Sequence, residues 1–260
     1  MDVPYFSQND HTLLETTSAR ECTLLLERAR DLQKAVSRRM RDLNWDLYSN
    51  WDGAAVVPGQ STSSRGPIFG LTIPFLRSRE QALSVERMMG RDGAGQTTAA
   101  DWMRHPVIEL RLTPDAFCVE LVVSPSAWWD QRNLVGKLSL PRHRDALRAL
   151  LGRADGDLRI GFWDGAYLSD FALTSRQLVR SGALGELMTT FGDSQDWMRA
   201  GMWYTPEDPR LSETNIVPEV CRAIGTIYPL YQFLLWTSNN NFQSFHPANA
   251  WMSSQREAQA

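Results

Sequence analysis

Leu25, Ala29, Leu32, Val36, Met40 and Leu43 recur at intervals of three and four residues, which places them on one stripe of an amphipathic helix. Ser18 and Glu21 precede this stripe at capping-box spacing, so the pattern predicts a helix from Ser18 to Leu43. Arg30, Lys34, Arg38 and Arg41 follow the same period and project on the opposite side, roughly 160° away on the helical wheel. One face of the helix is predicted to be core and the other basic.

Two-residue alternation takes over further along. Val107–Leu112 alternates Ile108, Leu110 and Leu112 with Glu109 and Arg111, Thr113-Pro114-Asp115-Ala116 supplies turn chemistry, and Phe117–Val123 resumes the alternation. A hairpin centred on that turn places Glu109 directly opposite Glu120. A second hairpin is predicted from Leu158–Trp163 and Ala166–Leu173 joined at Asp164-Gly165, which pairs Phe162 with Tyr167, Leu158 with Phe171 and Arg159 with Asp170. Further elements are strands at Ile68–Leu76 and Trp197–Tyr204, and helices at Arg79–Met89, after Thr98-Ala-Ala-Asp101, and at Pro141–Leu151. Asn215 is the predicted cap of a long apolar helix running to about Trp236, interrupted or kinked at Pro229.

Helices and hairpins in this order predict an α+β fold. Its mainly antiparallel sheet is built from hairpins and packed by the long N-terminal helix and the C-terminal apolar helix. One domain over residues 1–252 is expected, with a mobile loop at about 52–67, rich in Ser, Gly and Pro, and a frayed tail at 253–260. The longest apolar run, Ile227–Trp236, is about half of the ~20 residues needed to span a bilayer. With no leader pattern at the N-terminus, the expectation is a soluble, cytoplasmic protein without a membrane partner. Cys22, Cys118 and Cys221 are odd in number and far apart, which predicts reduced, buried thiols rather than a disulfide framework or a zinc site.

Charge adds one feature. The chain carries a formal −3, yet Ser18–Asp42 has seven basic and four acidic residues, +3, leaving −6 for the remainder. Arginine outnumbers lysine 25 to 2, and there are ten tryptophans. Arginine recognises phosphate and carboxylate bidentately, and tryptophan stacks on bases and sugars, although a coding bias and core packing explain the same counts.

Two chemistries are therefore weighed. In the first, the protein binds or assembles with an acidic partner, nucleic acid or an acidic protein surface, through the Arg30, Lys34, Arg38 and Arg41 face. Trp128, Trp129, Arg132 and Asn133 offer a further aromatic and polar contact, and Arg142, His143, Arg144, Arg148 and Arg153 form a second basic cluster. In the second, Glu109 and Glu120 hold Mg²⁺ or Mn²⁺ in an enzyme acting on a phosphate ester or nucleotide, with Arg111 or Arg132 on the anion. The alternatives for the glutamate pair are an exposed sheet face screened by Arg111 and water, or a shared proton. Gly93–Thr98 and Gly59–Gly66 lack the Lys-Ser/Thr ending of a phosphate loop. The four histidines have no metal-binding spacing, and no GxSxG elbow is present.

Overall fold

A computed structural model describes residues 3–16, 22–49, 56–58, 70–88, 104–163, 172–180 and 182–242. Their architecture is α+β, with every strand pairing antiparallel. The strands are β1 (Tyr48–Ser49), β2 (Val57–Pro58), β3 (Leu71–Leu76), β4 (Val107–Leu112), β5 (Phe117–Val123), β6 (Arg159–Trp163), β7 (Leu173–Thr174) and β8 (Trp197–Tyr204). They lie in the order β1-β3-β4-β5-β8-β6-β7, with β2 also paired to β3. The helices are α1 (Gln8–Thr16), α2 (Thr23–Asp42), α3 (Arg79–Met88), α4 (Trp128–Leu138), α5 (Pro141–Arg153), α6 (Ser175–Leu178), α7 (Ala183–Thr190) and α8 (Ile216–Leu234).

Register divides the sheet into two unlike faces. Ile73, Phe75, Ile108, Leu110, Val119, Leu121, Ala200 and Met202 share one face and join the buried stripes of α2 and α8 in the main hydrophobic core. Leu25, Ala29, Leu32, Val36 and Met40 are all in that core, as the helical periodicity predicts. The other face carries Glu109, Arg111, Cys118, Glu120, Arg199 and Gly201. Residues on this second face are also buried, which corrects the expectation of an exposed, water-screened face. Alternation of polarity distinguishes the two faces without saying whether the polar one is covered.

Several boundaries differ from the expectation. Helix α2 begins at Thr23 with Cys22 at its N-cap and no side-chain capping bond, while Ser18 and Glu21 lie outside the described residues. Its last turn ends before Leu43, which is 42% exposed instead of continuing the stripe. Ahead of it, Ser7 and Asp10 bond reciprocally and open α1, a helix that its polar composition conceals. Strand β6 pairs Arg159 with Thr174 and Ile160 with Leu173, so the pairing of Arg159 with Asp170 is wrong by four positions. The Asp164-Gly165 turn itself lies outside the described residues. Asn215 precedes α8 without a side-chain capping bond, and α8 continues through Pro229.

Trp128–Asn133 is helical, and its buried polar members hold the chain together. Asn133 donates to the carbonyls of Leu234, Leu235 and Asn240 and accepts from the Phe242 N–H. The chain beyond α8 is thereby tied down to residue 242. Asp130 accepts from Arg77 at 2.6 Å and from the Trp236 N–H at 2.6 Å, joining β3, α4 and the end of α8 inside the protein. Within the predicted mobile loop, Val57–Pro58 pairs with Leu71–Thr72, and most of the remainder lies outside the described residues. Among the described residues, no helix is long and apolar enough to cross a membrane. The three cysteines are buried.

Candidate functional site

The predicted register around Glu109 and Glu120 is the observed one, and both carboxylates are fully buried. Among the described residues, two arginines stand against them. Arg111 Nε donates to Glu120 Oε1 at 2.8 Å and stands 3.7 Å from Glu109 Oε1. Arg199, on the neighbouring β8, donates through Nε to Glu120 Oε2 at 2.7 Å and through its terminal nitrogen to Glu120 Oε1. Arg132, a sequence candidate for this role, is exposed on α4 instead. The signal for Arg199 was its position on β8, two residues from Gly201, which register places opposite Glu120.

Burial alone would raise the Glu120 pKa, but Arg111 and Arg199 outweigh it and hold the carboxyl below its usual range. Burial pushes the Cys118 thiol beside them up to about 12, so it stays protonated and is no nucleophile at neutral pH. The four charges of Glu109, Glu120, Arg111 and Arg199 sum to zero. Glu120 on β5 joins Arg111 on β4 and Arg199 on β8 across the sheet.

The donor set does not fit a divalent cation. Both oxygens of Glu120 already accept from guanidinium groups, whose positive charge opposes a cation there. Among the described residues, no three His, Cys, Asp or Glu side chains come together as metal ligands. Mg²⁺ or Mn²⁺ is therefore expected to leave the melting temperature of the wild type unchanged. A rise that disappears in Glu109→Gln would restore the metal reading.

The predicted basic face lies where the helical period puts it. Arg30, Lys34, Arg38 and Arg41 are all exposed on α2, opposite the core stripe. Lys34, Arg38 and Arg41 also line a groove of about 710 Å³, whose other wall is the segment following the helix, including Trp45 and Tyr48. Sequence reading missed this second wall. Asn44 takes a left-handed backbone, φ 54°, a conformation that asparagine tolerates better than most residues. The chain then doubles back, with the Trp45 N–H bonded to the Met40 carbonyl at 3.0 Å.

That segment is held at both ends. The Trp45 ring packs 5.6 Å from the Tyr228 ring, and it lies so close to Gly225 that a Cβ added there would be 3.3 Å from the indole. Tyr228 Oη accepts from the Asp46 N–H at 2.9 Å. Gln33 donates from α2 to Ser37 Oγ at 2.8 Å and Ser49 Oγ at 2.7 Å, fastening β1 against the helix. A groove built this way needs little ordering when a ligand enters, which lowers the entropic cost of binding.

Its electrostatics are positive with one opposing charge. Lys34 pairs with Asp31 at 3.2 Å, but both groups are about 70% exposed, so the pair is weak and open to exchange. The Asp46 carboxylate also lines the groove and accepts from Gln81 Nε2 at 2.7 Å, and its proximity raises the Tyr48 pKa. Three cations against one carboxylate leave the lining at +2.

The remaining sequence candidates do not join this groove. Trp128 and Trp129 are half-buried and meet edge to face with ring centres 4.5 Å apart, and Trp129 packs on Trp236 at 5.8 Å. Asn133 is buried and committed to the chain after α8, so it is not available to read a ligand. The second basic cluster borders other clefts: Arg144 and Arg148 face α7 across one of about 580 Å³, and Arg153 lines another beside α8. No protein-family model and no curated protein matches the chain.

Proposed function

We propose that the protein binds an acidic partner, with nucleic acid as the polymer, along the basic face of α2. The observation that carries this reading is the exposure of Arg30, Lys34, Arg38 and Arg41 together, with three of them lining one preformed groove. The packing of α2 rests on its opposite stripe, so folding makes no demand for these four cations. Arg38 and Arg41 can present planar, bidentate donors to phosphate, and exposed Lys34 adds a point charge.

Binding of this kind releases counterions and so weakens with salt. For a single strand the logarithm of affinity falls with the logarithm of salt at roughly 0.7 per neutralised phosphate, or about 2 for the three groove cations. Fluorescence anisotropy of a labelled oligonucleotide, titrated in EDTA at several salt concentrations, measures that slope. Absence of binding at low salt would overturn the reading.

A further inference from the structure

We infer that the groove takes a single strand of nucleic acid rather than a duplex, with Tyr48 as the surface on which a base stacks. This rests on the reading of the α2 face given above. Three features of the groove support it: its size, the arrangement of its cations and the chemistry of its far wall.

The groove offers about 710 Å³, within the ~300–1,000 Å³ of ordinary small-molecule pockets, which accommodates a few nucleotide units but not the body of a double helix. Lys34, Arg38 and Arg41 run along one wall over about 10 Å of helix axis, at 1.5 Å per residue. One row of cations tracks one backbone. A surface serving only a duplex backbone has no need of an aromatic wall, because the bases of a duplex are already stacked on each other.

Tyr48 is suited to the stacking role. Its side chain is on the edge strand β1 and the residue is 48% exposed, although large aromatic residues are commonly buried. Its backbone is paired with Leu76 of β3. The backbone is thus anchored in the sheet while the ring stays exposed, which limits the ordering cost of stacking. The exposed Asn44 amide and the part-exposed Ser37 and Ser49 hydroxyls lie on the same lining, where the edge of an unpaired base finds hydrogen-bonding partners. Trp45, which also borders the groove, is packed on α8 and supports the wall rather than serving as the stacking ring.

The test compares a labelled 12-nucleotide single strand with its duplex, by anisotropy in EDTA at fixed low salt. Wild type, Tyr48→Ala, Tyr48→Phe and Arg38→Gln/Arg41→Gln are measured side by side. Wild type is expected to prefer the single strand. Tyr48→Ala is expected to lose between about fivefold and a hundredfold in single-strand affinity, the range of one base–aromatic stack, while its salt slope stays the same. Tyr48→Phe keeps the ring, removes only the hydroxyl, and is expected to retain wild-type affinity within about threefold by the same stacking argument.

The inference is overturned if wild type binds the duplex as tightly as the single strand, a comparison that needs no variant. It is equally overturned if Tyr48→Ala binds the single strand as wild type does. In either case the broader reading survives when Arg38→Gln/Arg41→Gln weakens both polymers. If wild type binds neither polymer at low salt, the broader reading fails as well.

Discussion

Replacing Arg199 with methionine is expected to destabilise the fold by about 3–5 kcal/mol, the usual consequence of removing one partner from a buried ion cluster. The change takes one positive charge away from the fully buried Glu120 carboxylate. Glu120 loses both of its bonds from Arg199, and its remaining guanidinium partner is Arg111. Arg199 also lies over the Trp203 ring at 6.0 Å, a smaller loss. Urea denaturation measures the effect. The companion variant Arg199→Met/Glu120→Gln removes the Glu120 charge as well and should recover part of the stability, so the two single changes are not additive.

The same substitution changes the acid limb of stability. In wild type the Glu120 pKa is held below its ordinary value in the folded protein. The stability it contributes is therefore present above the unfolded pKa and lost as pH falls through the folded one. Without Arg199, burial has less opposition and the folded pKa rises. Acid unfolding of Arg199→Met should accordingly begin at a higher pH. An unchanged acid transition would show that Arg111 alone suffices.

The second large effect is expected from Gly201→Val, at about 3 kcal/mol or more, the upper range for overpacking in a rigid core. Any Cβ at Gly201 would fall 2.5 Å from the Glu120 Cβ and 2.5 Å from the Val119 carbonyl oxygen. One of these is main chain, so no rotamer change relieves the clash. Strands β5 and β8 would have to separate, carrying Arg199 away from Glu120. Thermal and urea unfolding both report the loss. A value under about 1 kcal/mol, typical of a tolerated substitution, would mean that the two strands yield more easily than their pairing implies.

Local pattern was enough for some features and inadequate for others. The β4–β5 hairpin was legible residue by residue, because alternation fixes the faces and the Thr113–Ala116 turn fixes the register. The basic face of α2 was legible because helical period alone separates Arg30, Lys34, Arg38 and Arg41 from the core stripe. Arg199 was not assigned to Glu120, since that contact joins residues 79 positions apart and requires the order of β5 and β8 in the sheet. Burial of the glutamate face was hidden for a related reason: a polar alternating position looks the same in sequence whether water or protein covers it.

The groove itself depended on tertiary contacts. Asn44 and Trp45 stand near the predicted helix end, but nothing local says that the chain will fold back along α2. That return is set by Trp45 on Gly225 and Tyr228 and by Gln33 on Ser49. Asn133 shows the converse case. Its neighbourhood of Trp, Asp, Gln and Arg suggested ligand recognition, yet its amide is consumed in holding the chain after α8. Polar residues beside aromatics bind the protein to itself as readily as they bind a ligand.

The central claim is that the cations on α2 serve binding rather than folding. Its most direct test measures melting temperature and oligonucleotide affinity together on one variant, Arg30→Gln/Arg38→Gln/Arg41→Gln. The expected result is a melting temperature close to that of wild type, since all three side chains are exposed opposite the packed stripe, with weaker affinity and a shallower salt dependence. A large fall in melting temperature with affinity unchanged would contradict the claim and assign this face to the stability of the fold.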